Sequence, residues 1–217
     1  MSQLRRFGGL LDMTPVVKNL LLLNILVYVA CILYPNLTDV FAMHYPSNPD
    51  FKPWQLVTHM FTHGGLMHIF FNMYALFSIG SLLERHFGHG RFLLLYFLGG
   101  FAGNVLSYLF SAGYSAGAST AVFGLVAAEA IFFYQNRELF GSYARQAISN
   151  AVFIIVINLF IGLAPMIDNW GHVGGLLGGA MFAWFAGPKW MMIGIPPEFS
   201  LHDERESREV LTGTLLV

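Results

Sequence analysis

The chain has 217 residues, of which 56% are hydrophobic and only 11% are charged, whereas about 25% of the residues in a typical soluble domain are charged. So few charges cannot cover a water-soluble domain, and the high hydrophobic content excludes an intrinsically disordered chain. The net charge of −1 excludes a basic surface for nucleic acid, and a single cysteine, Cys31, excludes a disulfide framework. We therefore predict a membrane protein surrounded mainly by the lipid bilayer.

Six apolar stretches are each long enough to cross a bilayer as a helix, which takes about 20 residues. In chain order they are residues 16–34, 66–83, 92–110, 117–134, 147–166 and 170–187. A long loop, 35–65, follows the first stretch, and Pro188 ends the last one because proline breaks helices. The sequence predicts an all-α membrane protein with six transmembrane helices over 16–187. A short N-terminal segment, 1–15, precedes this domain, and a C-terminal tail, 188–217, follows it, which we expect to be solvated and mobile after Pro196.

The basic residues predict which side of the membrane each loop faces, because cytoplasmic loops are enriched in lysine and arginine. If the N-terminus is cytoplasmic, ten of the eleven Lys and Arg residues lie inside and only Lys52 lies outside. The opposite orientation reverses this bias. We therefore predict that both termini are cytoplasmic and that loop 35–65 is external.

Four polar residues lie near the start of the second, fourth and sixth stretches, which all run from outside to inside in this orientation. They are His68, Asn72, Ser119 and His172. His68 and Asn72 are four residues apart and share one helical face. Polar side chains in a bilayer usually face the bundle interior or a wet cavity. The sequence thus predicts one buried polar cluster that opens toward the outside.

A serine and a histidine in such a cluster have a chemical use, because histidine can remove the hydroxyl proton and make serine a nucleophile. Ser119 follows Gly117 at the start of a helix, where backbone N–H groups are free to bind an oxyanion. Gly171, Gly175 and Gly179 recur every four residues and favour close helix packing. The structural alternatives are a serine bonded to its own helix and a glycine seam used only for packing.

Three segments, in chain order, carry a resemblance to a known family. They are HGGLMHIFFN at 63–72, GAS at 117–119 and DNWGHVGG at 168–175. Together they resemble the rhomboid intramembrane serine proteases of the six-span bacterial type, over about residues 16–187. The resemblance implies a rhomboid-like helical bundle in the inner membrane of a bacterium.

The resemblance also implies a catalytic pair without the acidic third member of soluble serine proteases. Ser119 would be the nucleophile and His172 the general base and acid, with His68, Asn72 and the Ser119 N–H forming the oxyanion hole. The supporting residues implied are Gly117, His63, Gly175 and Phe123, the last as a ring stacked on the histidine. The implied substrates are transmembrane segments of single-span proteins, cut near the outer face, and neither a cofactor nor a metal is implied.

The sequence departs from the family pattern at two positions outside the proposed pair. Thr120 follows the serine where the family often has glycine, and Gln55 follows Trp54 where the family often has arginine. These changes concern the start of the fourth helix and the external loop. Protease activity therefore remains the expected function.

Three other functions were weighed against proteolysis. A non-catalytic rhomboid-like protein that binds transmembrane segments is the main alternative, and it predicts the loss of Ser119 or His172, both of which are present. A transporter is disfavoured because the chain has no internal repeat. A metal site at His59, His63 and His68 is disfavoured because no HExxH motif or suitably spaced carboxylate accompanies them.

Overall fold

The computed structural model describes residues 13–44, 48–111, 115–164, 167–195 and 198–217, and most of this part of the chain is helical. The helices are α1 (Pro15–Leu33), α2 (Asn36–Phe41), α3 (Gln55–Thr58), α4 (Leu66–Ala75), α5 (Ser81–Phe110), α6 (Ser119–Gln135), α7 (Arg137–Phe140), α8 (Ser142–Ile161), α9 (Asn169–Ala186) and α10 (Ser207–Leu215). A 3-10 turn (His59–Phe61) follows α3, and a π-helical segment (Leu76–Gly80) joins α4 to α5. Two strands, β1 (Trp190–Ile195) and β2 (Glu198–Asp203), pair as an antiparallel hairpin.

All six predicted apolar stretches lie on helices, within a few residues at their ends. Among the described residues, three helical segments are long and apolar enough to cross a membrane by themselves: Pro15–Leu33, Leu66–Phe110 and Ser142–Ile161. Helix α6 is apolar but shorter. The prediction of a mainly helical membrane protein is therefore confirmed. Most of the predicted N-terminal segment, 1–15, lies outside the described residues.

The range of α5 covers the end of the second predicted stretch and all of the third. A glycine inside α5 separates the two. Gly88 has φ of 75° and ψ of 165°, so the helix is interrupted there. This left-handed backbone region is accessible to glycine because glycine has no Cβ atom. The chain can thus leave one helical arm and enter the next without a long loop.

Helix α9 is in close contact with two other helices through its glycines. A Cβ atom at Gly175 would lie 2.1 Å from the carbonyl oxygen of Thr120, and one at Gly179 would lie 2.1 Å from that of Gly124, both on α6. On another face of α9, a Cβ atom at Gly174 would lie 2.7 Å from a backbone oxygen of α5. Only hydrogen fits at these positions, so the predicted glycine seam holds α9 directly against the helix that carries Ser119.

The carboxylate of Glu84 joins helix α1 to the start of α5. It accepts hydrogen bonds from the backbone N–H groups of Val16 (3.0 Å) and Val17 (2.8 Å) and from the hydroxyl of Thr14. The imidazole Nδ1 of His89 lies 2.6 Å from the same carboxylate. Since the first N–H groups of a helix have no partner within it, Glu84 satisfies the N-terminus of α1 from a different part of the chain.

The C-terminal segment differs from the solvated, mobile tail that the sequence predicts, and the hairpin is an exception to the all-α prediction. Asp203 accepts hydrogen bonds from the guanidinium of Arg91 (2.5 Å) and from the backbone N–H groups of Lys189 and Arg205 (3.0 Å each). Helix α10 then packs on α9, where Gly213 is buried. Most side chains from 198 to 217 are exposed, as expected, but the sequence does not predict the hairpin and α10, because these elements are positioned by contacts with distant residues such as Arg91.

Candidate active site

The turn into α6 places Ser119 at the first position of that helix. Gly117 has φ of 124°, in the backbone region that favours glycine. A Cβ atom at this position would lie 2.7 Å from Nε2 and Cε1 of His68. Glycine at 117 therefore permits both the turn before Ser119 and the close approach of the His68 imidazole.

Ser119 and His172 face each other across the contact between α6 and α9. Nε2 of His172 lies 3.2 Å from Oγ of Ser119, within hydrogen-bond reach. The ring of Phe123 stacks on the imidazole, with centroids 4.0 Å apart and ring planes at 8°. Both rings are buried. The stack fixes the plane of the imidazole and leaves Nε2 directed at the serine hydroxyl.

The surroundings of the other imidazole nitrogen, Nδ1, distinguish this pair from the triad of soluble serine proteases. Nδ1 of His172 is buried and has no hydrogen-bond partner among the described residues. In a triad, a carboxylate accepts a hydrogen bond from this nitrogen and orients the ring. Here the stacked Phe123 ring and the glycine contacts of α9 provide the orientation.

His68 and Asn72 lie on α4 and line the same cavity as Ser119 and His172. Nδ1 of His68 accepts a hydrogen bond from the Gly64 N–H at 3.4 Å, so in the neutral ring Nε2 carries the proton and is a donor. The side-chain amide of Asn72 donates to the carbonyl of His68 at 2.9 Å. An amide has two N–H donors, so one N–H of Asn72 remains available at this wall of the cavity.

His63, in the loop before α4, contacts the backbone next to the serine. Its Nε2 accepts a hydrogen bond from the Ala118 N–H at 3.5 Å, and its ring centroid lies 5.2 Å from that of His68. Burial, together with the neighbouring His68, lowers the pKa of His63 to about 4. His63 is therefore neutral at pH 7 and is able to accept from the backbone that leads into α6.

A cavity of about 1480 Å³ connects these residues with the space between α4 and α8. Its polar lining includes His68, Asn72, Ser111, Ser115, Ser119, Asp168 and His172, and also Ser78, Asn158 and Asn169. The rest of the lining is mainly apolar, with Met67, Phe71, Ile79, Val126 and Ile154. Its volume exceeds the roughly 300–1,000 Å³ that is common for small-molecule pockets.

Asp168 forms a second polar centre beside the serine–histidine pair. Its carboxylate accepts hydrogen bonds from the hydroxyls of Ser107 (2.5 Å), Ser111 (2.6 Å) and Ser115 (2.7 Å) and from the Gly171 N–H (3.0 Å). Partial burial alone would raise the pKa of Asp168, but these four hydrogen bonds outweigh it and hold the pKa below its ordinary value. The carboxylate is therefore ionised at neutral pH.

Asp168 lies in one of the predicted motifs but was given no role there, and the three serines were not predicted as site residues. Ser107 and Ser111 are four residues apart, which is the period of one helical face, but α5 ends at Phe110 and Ser115 lies in the segment that enters α6. Nothing in the sequence shows that a carboxylate more than fifty residues later meets these hydroxyls. Of the predicted site residues, Ser119, His172, His68, Asn72 and Phe123 line one cavity, whereas His63, Gly117 and Gly175 do not.

Comparison with known proteins agrees with the resemblance seen in the motifs. The family model described as Rhomboid domain matches residues 50–189. This range includes α3 to α9 and all the candidate site residues. It excludes α1, α2, the C-terminal hairpin and α10.

Individual proteins of the same family are similar over a shorter range. The chain is 45% identical over 127 residues to "Rhomboid protease GluP" of Bacillus subtilis (strain 168), which covers 58% of this chain and 24% of that protein. It is 42% identical over 127 residues to "RHOMBOID-like protein 1" of Arabidopsis thaliana, covering 58% and 32%. It is 42% identical over 129 residues to "RHOMBOID-like protein 6, mitochondrial" of the same plant, covering 59% and 42%. The chain thus matches less than half the length of each of these relatives.

Proposed function

Since this chain belongs to the rhomboid family of integral membrane proteins, we propose that it is an intramembrane serine endopeptidase. Its substrates are the transmembrane segments of single-span membrane proteins, cut near the outer face of the membrane. The observation that carries the proposal is the 3.2 Å contact between Nε2 of His172 and Oγ of Ser119. The protease named among the relatives supports it.

The proposed reaction uses Ser119 and His172 in two stages. His172 takes the hydroxyl proton through Nε2 while Oγ of Ser119 attacks the carbonyl carbon of the scissile peptide bond. The resulting imidazolium gives its proton to the leaving amine as the C–N bond breaks, which leaves an acyl-enzyme. His172 then takes a proton from a water molecule while the water oxygen attacks the ester carbon. As the ester C–O bond breaks, the imidazolium returns this proton to Oγ of Ser119 and the acyl group leaves as a carboxylic acid.

We assign the stabilisation of the intermediate to three donors on two helices. These are the backbone N–H of Ser119, Nε2 of His68 and the second amide N–H of Asn72. The unpaired N–H groups at the start of α6 and the free donors on α4 support this assignment. Donors of this kind stabilise charge that develops only in the transition state.

We also propose that six helices cross the membrane, with both termini in the cytoplasm and loop 35–65 outside. The spans correspond to residues 16–34, 66–83, 92–110, 117–134, 147–166 and 170–187, and a bacterial inner membrane is the proposed location. The bias of lysine and arginine supports this orientation. The shorter α6 and the glycine-rich α9 would then be enclosed by the longer apolar helices, which shield their polar residues from lipid.

The decisive experiment combines substrate cleavage with active-site labelling. Wild type, Ser119→Ala and His172→Ala are reconstituted in liposomes with a panel of single-span substrates, and the wild type is treated with a fluorophosphonate probe. We expect cleavage by the wild type alone and a label on Ser119. The matched control for labelling is Ser78→Ala, a serine that lines the same cavity, and it should label like the wild type.

Two outcomes would contradict the proposal. Equal cleavage by wild type and Ser119→Ala would exclude Ser119 as the nucleophile. Binding of transmembrane segments without cleavage or labelling in any preparation would favour the alternative, a non-catalytic rhomboid-like protein.

A further inference from the structure

The carboxylate of Asp168 joins the start of α9 to the end of α5 and to the segment that enters α6, which lie more than fifty residues earlier in the chain. Oδ2 accepts from Ser107 and Ser115, and Oδ1 accepts from Ser111 and from the Gly171 N–H. Ser107 and Ser111 belong to the end of α5, Ser115 to the segment that enters α6, and Gly171 to the first turn of α9. A helix N-cap requires only the last of these bonds, so three hydroxyl groups are directed at this carboxylate beyond the needs of capping.

Both ends of the Ser115–Asp168 hydrogen bond are fixed to the backbone near the proposed catalytic pair. Ser115 forms a two-way backbone bridge with Met43, at 3.0 and 3.1 Å. The carbonyl of Asp168 accepts the backbone N–H of His172 at 3.1 Å. The side-chain contact of 2.7 Å therefore joins two pieces of backbone that are each held in place.

The position of this contact in the sequence relates it directly to the pair. Ser115 is four residues before Ser119, and Asp168 is four residues before His172. On the α9 side this spacing is one helical turn, because Asp168 is the N-cap of α9, and on the other side Ser115 lies in the short segment that enters α6. A change in the first spacing would shift α6 and α9 at the level of the second, where Oγ and Nε2 are only 3.2 Å apart.

We propose that Asp168 is a positioning residue for the Ser119–His172 pair. Its carboxylate sets the separation of the α6 and α9 N-termini through Ser115, and it holds both against the end of α5 through Ser107 and Ser111. The inference rests on the proposed protease function. Asp168 would contribute to the rate by holding the reacting groups at the right distance. A displacement of about 1 Å can reduce the rate about 100-fold.

The test compares Asp168→Ala and Asp168→Asn with a matched control, Asp203→Ala. Asp203 also accepts three hydrogen bonds, but it does so at the opposite end of α9. For each variant we would measure kcat and KM on a single-span substrate, and both the rate and the endpoint of fluorophosphonate labelling. The rate reports the geometry of the pair, whereas the endpoint counts the folded molecules.

We expect Asp168→Ala to label slowly but to the full endpoint, with kcat reduced about 10- to 100-fold and KM changed less than about twofold. Asp168→Asn keeps one carbonyl acceptor and the shape of the side chain, so it should recover part of the rate. Asp203→Ala should label at the wild-type rate, with a lower melting temperature. Should Asp168→Ala fail to fold, Ser115→Ala removes a single donor from the same contact and should still slow labelling.

Two results would overturn the inference. The first is a wild-type labelling rate in the folded fraction of every Asp168 and Ser115 variant, which would leave Asp168 with a structural role only. The second is an equal loss of rate in Asp203→Ala, which would show that the effect is not specific to the outer end of α9. Failure of the wild type itself to label at Ser119 would instead contradict the proposed function, so the two failures are distinguishable.

Discussion

Glu84 and Asp168 are two carboxylates with similar surroundings at opposite ends of α5. Each accepts hydrogen bonds at the N-terminus of a helix, α1 for Glu84 and α9 for Asp168. Each is also bonded to side chains of other segments: Thr14 and His89 for Glu84, and three serines for Asp168. As sources of stability, the two sites are close equivalents.

The difference lies in what their neighbours carry. Helix α1, which Glu84 holds, has no residue among the lining of the cavity. The segments that Asp168 holds lead, within four residues, to Ser119 and His172. A buried carboxylate therefore contributes to folding wherever it is satisfied, but it affects chemistry only where its partners position the reacting groups. Variants of Asp168 and its partners should therefore change the cleavage rate, and variants of Glu84 should change the free energy of unfolding.

The largest effect on rate outside the proposed pair is expected for Asn72→Ala. Its free amide N–H would donate to the oxyanion, and loss of one such donor reduces kcat about 100- to 1,000-fold, or about 2.7–4 kcal/mol. The melting temperature should change little, because the amide otherwise bonds only to the carbonyl of His68 in its own helix. Cleavage rates and thermal unfolding in detergent, measured on the same preparation, test both statements.

Asn24→Ala is the matched control for this variant. Asn24 also donates to a carbonyl four residues earlier, that of Leu20 at 2.8 Å, but it lies on α1 and does not line the cavity. It should leave kcat unchanged, because Asn24 does not line the cavity. Unchanged turnover in Asn72→Ala would remove Asn72 from the oxyanion hole.

The Glu84→Ala variant is expected to change stability but not the cleavage rate. The substitution removes the acceptor of two backbone N–H groups at the start of α1, and we expect a loss of about 2–3 kcal/mol in the free energy of unfolding. Unfolding in mixed micelles measures this loss, and the rate of Ser119 labelling in the folded fraction should equal that of the wild type. A slower labelling rate would contradict the separation of the two ends, and Asp168→Ala provides the comparison from the outer end.

The sequence allowed the helices and the residues of the candidate site to be predicted, because both are marked by differences between apolar and polar residues along the chain. In a chain with so few charges, apolar stretches mark the helices, and a histidine within them needs a partner to be tolerated. The motif resemblance then assigned Ser119, His172 and Phe123 to one place. The stacked ring and the 3.2 Å contact agree with that assignment.

The partners of Glu84 and the folded C-terminal segment were beyond the sequence for a physical reason. Val16 and Val17 reach Glu84 through backbone N–H groups, which every residue except proline carries, so their side chains give no signal. Asp203 likewise meets Arg91 across 112 positions of the chain. Such contacts depend on how the helices pack, and the periodicity within any one segment does not record them.

The smallest effect on rate is expected for Phe123→Leu, which keeps an apolar side chain but removes the ring stacked on His172. Aromatic pairs contribute about 0.5–1.5 kcal/mol beyond the area they bury, which corresponds to about a 2- to 12-fold reduction in kcat if the stack serves only to orient the imidazole. The matched control is Phe182→Leu. The ring of Phe182 is fully buried and lies on α9, ten residues after His172. Phe182→Leu should reduce stability more than Phe123→Leu and leave kcat unchanged. The opposite ranking of the two variants in kcat would show that the orientation of His172 depends on the packing of the whole helix and not on the stacked ring.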